Sequence, residues 1–242
     1  MLKRTPSLTE QAKSHIKQLI LDDAFSEGKI PSETELAADL GVSRTTIRDA
    51  LSRLENEGVV FRKQGAGTFV NEAGLQIKSR LDEIWAYEEM LSAHGYTPST
   101  RILDVTTQLA SADIAAELNI EEGNELVVAR KLFLADNQPV ILSYNYVPAN
   151  LLLEPYKPED FVEPIYSYLW ENGRSQFSYF LSEIIPMIAD EDLAKTLHIQ
   201  PQTPLLSMHE IGYNEDNDPI LKSTSCFRDD LIRFRLIRRQ KH

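Results

Sequence analysis

Apolar side chains recur at helical spacing in three separate blocks of the first 58 residues. Ala12, Ile16, Leu19 and Ile20 form the first stripe, and Ser7-Leu-Thr-Glu10 ahead of them has the spacing of a capping box. Ser32-Glu-Thr-Glu35 repeats that signal after Pro31. It opens a shorter block with Leu36, Ala37 and Leu40 inward, and Gly41 ends it. Ser43 can cap the next block, whose stripe is Ile47, Ala50, Leu51 and Leu54 up to Gly58. The pattern predicts three helices, the second and third joined by the tight turn Gly41-Val42-Ser43. Then come the β-formers Val59, Val60 and Phe61, a basic glycine-containing tip from Arg62 to Gly67, and a return through Thr68, Phe69 and Val70. That predicts a hairpin, or wing, behind a helix-turn-helix.

Residues 72–79 carry no strong pattern and read as a linker between a domain at 1–71 and a second at 80–242. In the second part the spacing predicts a helix over 80–95, with Leu81, Ile84, Trp85 and Met90 near one face. Val127–Leu134 and Val140–Val147 flank a turn composition and predict one antiparallel hairpin; Leu205–Tyr213 and Ile220–Phe227 flank NEDNDP and predict another. Ile165–Trp170 and Ile188–Leu197 read as helices. AAELNIEEGNEL and AKTLHIQPQTPL repeat one order of helix, turn and strand, a weak internal duplication. Mixed strands and helices around one sheet make the fold class α+β.

Hydrophobic residues make up 42% and charged residues 26% of 242 residues, the balance of a soluble globular chain. No apolar run approaches the roughly 20 residues of a membrane helix, and the N-terminus has no secretory apolar region, so a cytoplasmic protein is expected. The single Cys226 has no partner for an internal disulfide and reads as a small packed residue. Net charge is -12, unevenly placed: residues 1–76 hold 10 basic and 11 acidic side chains, and the rest 15 and 26. Residues 41–70 alone are net +2.

That local charge suits a duplex. Arg44, Thr45, Thr46 and Arg48 fall off the apolar stripe of the third helix. Arginine donates two hydrogen bonds to guanine, and threonine offers a hydroxyl to phosphate and a methyl to thymine. Ser32, Thr34 and Ser43, at or beside the starts of the second and third helices, accompany free N–H groups and the positive dipole end. Arg62 and Lys63 can neutralise phosphate, and the small tip of Gln64, Gly65, Ala66 and Gly67 fits a minor groove.

The segments PSETELAADLGVSRTTIRDALSRLENEGVV and QGAGTFV resemble the winged helix-turn-helix of GntR-family bacterial repressors. The resemblance implies that Arg44, Thr45, Thr46 and Arg48 contact an operator and that Gln64 and Gly65 serve the wing. Many relatives carry Arg where this chain has Thr34, so one contact is missing or replaced. The remainder, from GYTPSTRILDV to PLLSMHEIGYNEDNDPILKSTSCFRDDLIRF, is similar to the UTRA domain of the HutC subgroup. This implies a fold shared with chorismate lyase that binds a small effector without turning it over. The strand pairs and scattered His94, His198 and His209 argue against the helical metal-binding subgroup, and about 165 residues are too few for an appended aminotransferase. No nucleophile–base pair, metal motif or phosphate loop is evident, so neither catalysis nor a cofactor is expected.

In UTRA domains that sense phosphosugars, an R-x-R strand clamps phosphate. Here the strand reads Arg130-Lys131-Leu132, with Ser143 and Leu221 where glutamates are usual, which disfavours an amino-sugar phosphate. Arg130 is the expected anion contact, with Ser143 and Tyr166 for hydrogen bonds and Glu183 for a hydroxyl or amine. Lys131 is expected on the opposite face of the strand. The expected whole is a homodimeric repressor on a near-palindromic double-stranded operator, released by a sugar, sugar derivative or other small metabolite.

Overall fold

The computed structural model describes residues 6–75, 81, 84–152, 157–162, 164–172 and 175–235, which divide along the chain near residue 80 into two compact units. No described helix is long and apolar enough to cross a membrane.

The first unit opens with α1 (Leu8–Leu21), where the Ser7 hydroxyl accepts the Glu10 N–H. A short strand, β1 (Lys29–Ile30), precedes α2 (Glu33–Leu40). A complete capping box starts α2: Ser32 Oγ accepts the Glu35 N–H at 3.3 Å and the Glu35 carboxylate accepts the Ser32 N–H at 2.8 Å. Gly41 ends it in the left-handed region at φ 64, a conformation that glycine adopts without a Cβ penalty. After only Val42 and the cap Ser43, α3 (Arg44–Asn56) begins. Ile16, Ile47, Leu51 and Leu54 are almost wholly shut off from solvent where α1 and α3 pack.

The wing is β2 (Val60–Lys63) and β3 (Gly67–Val70), with Lys63 opposite Gly67. β1 adds a third strand against β3 that the hydrophobic pattern did not predict, since two residues are too few to show a period. The expected linker is likewise not all linker: Glu72–Leu75 form a helical turn, α4. The Asn71 amide donates to the Gly58 carbonyl at 2.8 Å, and Gly74 lies so close to it that a Cβ there would sit 1.9 Å from the Gly58 oxygen. Residues 76–79 of that linker lie outside the described residues.

The second unit is one antiparallel six-stranded sheet flanked by helices. It begins with α5 (Tyr87–Ala93), shorter than the helix expected over 80–95 because Ala86 is extended at ψ 138; residues 80, 82 and 83 lie outside the described residues. There follow β4 (Pro98–Leu109), α6 (Ala112–Leu118), β5 (Glu125–Ala135) and β6 (Gln138–Pro148). After α7 (Ile165–Asn172), the same order returns as β7 (Phe177–Ile188), α8 (Glu191–Leu197), β8 (Pro204–Asn214) and β9 (Pro219–Arg228). Strand order is β4-β5-β6-β9-β8-β7, so the two halves meet at β6 and β9.

The duplication seen as two short segments is therefore a strand, helix and hairpin repeated whole. Its local chemistry matches too: α6 is capped by Ser111 and α8 by Asp190, and both end on a left-handed residue, Asn119 (φ 52) and His198 (φ 54). Both expected hairpins form within a few residues of the predicted limits. The helix expected from Ile188 starts only at Glu191, since Ile188 still pairs with Pro204 and Asp190 supplies the cap.

α6 and α8 pack on one face of the sheet through Leu118, Leu126 and Val128 and through Leu132, Leu142 and Leu197. α5 and α7 pack on the other.

Candidate functional site

Two sites emerge, one on each unit. On the first, the starts of α2 and α3 and the wing present the predicted DNA-contacting side chains to solvent. Ser32, Thr34, Ser43, Arg44, Thr45, Arg48, Arg62, Lys63, Gln64, Gly65 and Gly67 are exposed, and Thr46 and Ala66 partly so. Ser32 and Ser43 also act as helix caps, and the Ser43 hydroxyl lies 2.8 Å from that of Thr46. Glu33 sits among the basic residues. Arg48 donates to both of its carboxylate oxygens at 2.8 to 3.2 Å, and that hydrogen bonding holds the Glu33 carboxyl below its ordinary range, with the charges of Arg62 and Arg44 adding to the effect. Arg62 in turn meets Glu55 at 3.3 Å. The braces fix where two guanidinium groups point. Arg44 and Lys63 form no ion pair among the described residues. The sequence does not mark Glu33 and Glu55 as partners of Arg48 and Arg62, because each stands beside its arginine only in three dimensions.

On the second unit a cavity of about 430 Å³ lies between the sheet and the α5/α7 layer. Its polar floor comes from the middle strands: Lys131 on β5, Ser143 and Asn145 on β6, Ser223 on β9 and Glu210 on β8. Ser182 and Ile184 of the edge strand β7 extend it, and Trp85, Tyr87, Tyr166 and Phe180 make it aromatic above and to the side. The pattern follows from strand alternation, which sends every second side chain to this face. Lys131 stands opposite Ser143, and Glu210 opposite Ser223, so the two charged residues take matching places in the two halves of the repeat.

A relay of hydroxyls crosses the join between the halves. Tyr87 Oη donates to Ser225 Oγ at 2.9 Å, Ser225 donates to Ser143 at 2.9 Å, and the Asn145 amide donates to Ser143 at 3.3 Å. The Tyr87 ring sits edge-on against Phe133 and Phe227, and burial raises its phenol pKa. Burial, with the Glu89 and Glu88 charges adding to it, pushes the Tyr166 phenol up to about 12. Burial likewise raises the Glu210 carboxyl, against the opposing effect of a 2.6 Å hydrogen bond from Ser182. Lys131 is only 2% exposed and donates to the Val162 carbonyl at 3.4 Å.

Of the four expected effector residues, Ser143 and Tyr166 line the cavity, and Arg130 and Glu183 do not. Arg130 is on the opposite face of β5, where it pairs with Asp104 at 2.8 Å and lies over the Tyr144 ring. Glu183 is exposed on β7, between the cavity-facing Ser182 and Ile184. Arg130 and Glu183 are turned from the cavity for the same reason. Alternation separates Arg130 from Lys131, and Glu183 from its neighbours, but which face is roofed depends on where α5 and α7 pack. Lys131, buried on that roofed face, and Glu210 take matching places only when the repeat is extended past Leu126 and Leu205 into the following strands.

His198 ends α8, His94 Nδ1 lies 2.8 Å from the Met90 carbonyl, and among the described residues no group of three or more His, Cys, Asp or Glu is placed to hold a metal.

Residues 8–70 match the model of bacterial regulatory proteins of the gntR family, and residues 93–233 match that of the UTRA domain. The chain is 28% identical to the HTH-type transcriptional repressor NagR of Bacillus subtilis, over 94% of this chain and 91% of that one. It is 27% identical to the histidine utilization repressor of Pseudomonas putida, over 82% and 77% of the two chains. Among solved structures, the possible transcriptional regulator YydK of Bacillus subtilis superposes with a TM-score of 0.79 at 18% identity, covering 97% of this chain and all of the other. With a winged helix-turn-helix followed by a UTRA domain, this chain belongs to the GntR family of DNA-binding transcriptional regulators, in its HutC-like group.

Proposed function

We propose that this chain is a repressor that binds a near-palindromic operator as a homodimer and lets go when a small metabolite fills the second unit's cavity. The observation that carries the reading is that cavity: about 430 Å³, walled by aromatic side chains and floored by polar ones, within the size range of small-molecule sites. Arg44, Thr45, Thr46 and Arg48 read the major groove, and Arg62, Lys63 and the 64–67 tip hold the backbone and minor groove. Two heads then take half-sites about one helical turn apart. Within the cavity Ser143, Tyr166, Lys131 and Glu210 contact the effector.

The exposed edge strand β7 supports dimerisation. Leu181 is 60% exposed and Ile185 37%, on a strand whose outer N–H and C=O groups have no neighbour in this sheet. Such an edge is a template for a second copy.

Selection of duplexes from a random pool, followed by a release assay against cytoplasmic metabolites, tests the whole reading. The expected result is a near-palindromic consensus and a metabolite that releases it from the wild type but not from Ser143→Trp, whose indole fills the cavity. A releasing metabolite that acts equally on Ser143→Trp would overturn the cavity's role.

A further inference from the structure

We propose that the effector carries a protonated amine and that Glu210 is the residue that receives it. This rests on the cavity being the effector site, and it goes beyond that reading by naming the ligand's chemistry.

Glu210 faces the cavity from β8, flanked in register by Ser182 on β7 and Ser223 on β9. Ser182 donates one hydrogen bond, and among the described residues no cation pairs with Glu210. A carboxylate with two oxygens can accept about four hydrogen bonds, so this half-buried group keeps acceptor capacity and an unpaired charge turned toward the cavity. Lys131 is not that partner. It stands on β5, with β6 and β9 between it and β8, and its ammonium donates to Val162.

Among the described residues, two carboxylates, Glu210 and Glu88, line the cavity against the single ammonium of Lys131, so its charge favours a cation over a neutral donor. Glu88 lines the same cavity, where it accepts the Thr100 hydroxyl. Tyr87, Tyr166 and Phe180 present aromatic rings, which attract organic cations and also cover a hydrocarbon or sugar-ring body. An ammonium at Glu210 would complete the hydrogen bonding and the charge together, while the serines alongside take hydroxyl groups.

Titration calorimetry on the full chain with three matched pairs tests this: glucosamine and glucose, tyramine and 2-(4-hydroxyphenyl)ethanol, putrescine and 1,4-butanediol. At least one amine should bind at or below about 10 mM, at least about tenfold more tightly than its hydroxyl counterpart, and Glu210→Gln should bring the two within about threefold. No amine binding at that concentration, equal binding of the hydroxyl compound, or a preference that survives in Glu210→Gln would each overturn the proposal. A hydroxyl compound that binds the wild type but not Ser143→Trp would sink the amine while leaving the cavity intact as the site. An amine that binds Ser143→Trp as well as the wild type would remove both.

Discussion

Arg48 on α3 sets the side of its guanidinium against both carboxylate oxygens of Glu33 on α2, the closest contact being 2.8 Å. A residue on the face proposed to read bases is thus aimed by an acid from the neighbouring helix. The same acid repels phosphate. If Arg48 reads bases as proposed, Glu33 contributes to discrimination rather than to raw affinity.

Glu33→Gln should therefore strengthen binding to random duplex and lower the ratio of selected-site to random-site affinity. Arg48→Ala should weaken the selected site by about tenfold or more, the scale of a lost bidentate base contact. Fluorescence anisotropy at fixed salt reads both, and an unchanged ratio in Glu33→Gln would end this account of the pair.

Gly74 is buried with no room for a Cβ, the Gly58 carbonyl oxygen being the obstacle at 1.9 Å. Because backbone, unlike a side-chain tip, cannot swing aside, Gly74→Ala should destabilise the first unit by about 1–3 kcal/mol, the usual cost of overpacking. Thermal unfolding of the variant checks this; a wild-type melting temperature would mean that α4 detaches without loss.

Glu210 gives a pH-dependent prediction. Its folded pKa is raised above the ordinary 4.5 by burial, so the folded state holds this proton more tightly than the unfolded one. Its contribution to stability is fully present below about pH 4.5 and is lost as pH rises through the folded value. Glu210→Gln removes the penalty of the buried charge, so it should melt higher than the wild type at pH 7.5 without ligand, with the gain shrinking toward pH 4.5. A gain that grows on acidification would contradict the assignment.

Tyr87 holds the end of the hydroxyl relay through Ser225. Tyr87→Phe keeps the edge-on packing against Phe133 and Phe227 and removes only the hydrogen bond, at a cost of about 1 kcal/mol. If the relay acts as a unit, Ser225→Ala on top of Tyr87→Phe should cost less than the two single changes added together; full additivity in a double-mutant cycle would show that it does not.

On β7, Leu181→Lys combined with Ile185→Asp places charge on an apolar edge. The expected outcome is a monomer by light scattering, with operator binding lost at physiological salt because too few phosphate contacts remain per head. A dimer that persists would move the interface elsewhere.

Local chemistry made much of this fold legible. Ser32 with Glu35, Gly41 and Ser43 announce helix boundaries by themselves, because caps and left-handed turns depend on residues within a few positions. The hairpins around residues 135–139 and 214–219 were legible for the same reason. β7 was not: FSYFLSEIIPMI shows no apolar–polar alternation, and its strand character comes from pairing with β8, far along the chain.

The site divides in the same way. Alternation alone determined that Arg130 and Lys131 point to opposite faces. Only the tertiary structure decided which faces matter, since the cavity exists where α5 and α7 cover one side of the sheet while α6 and α8 fill the other with leucines. Lys131 and Glu210 become cavity residues through that packing, a long-range outcome that no short window of sequence contains.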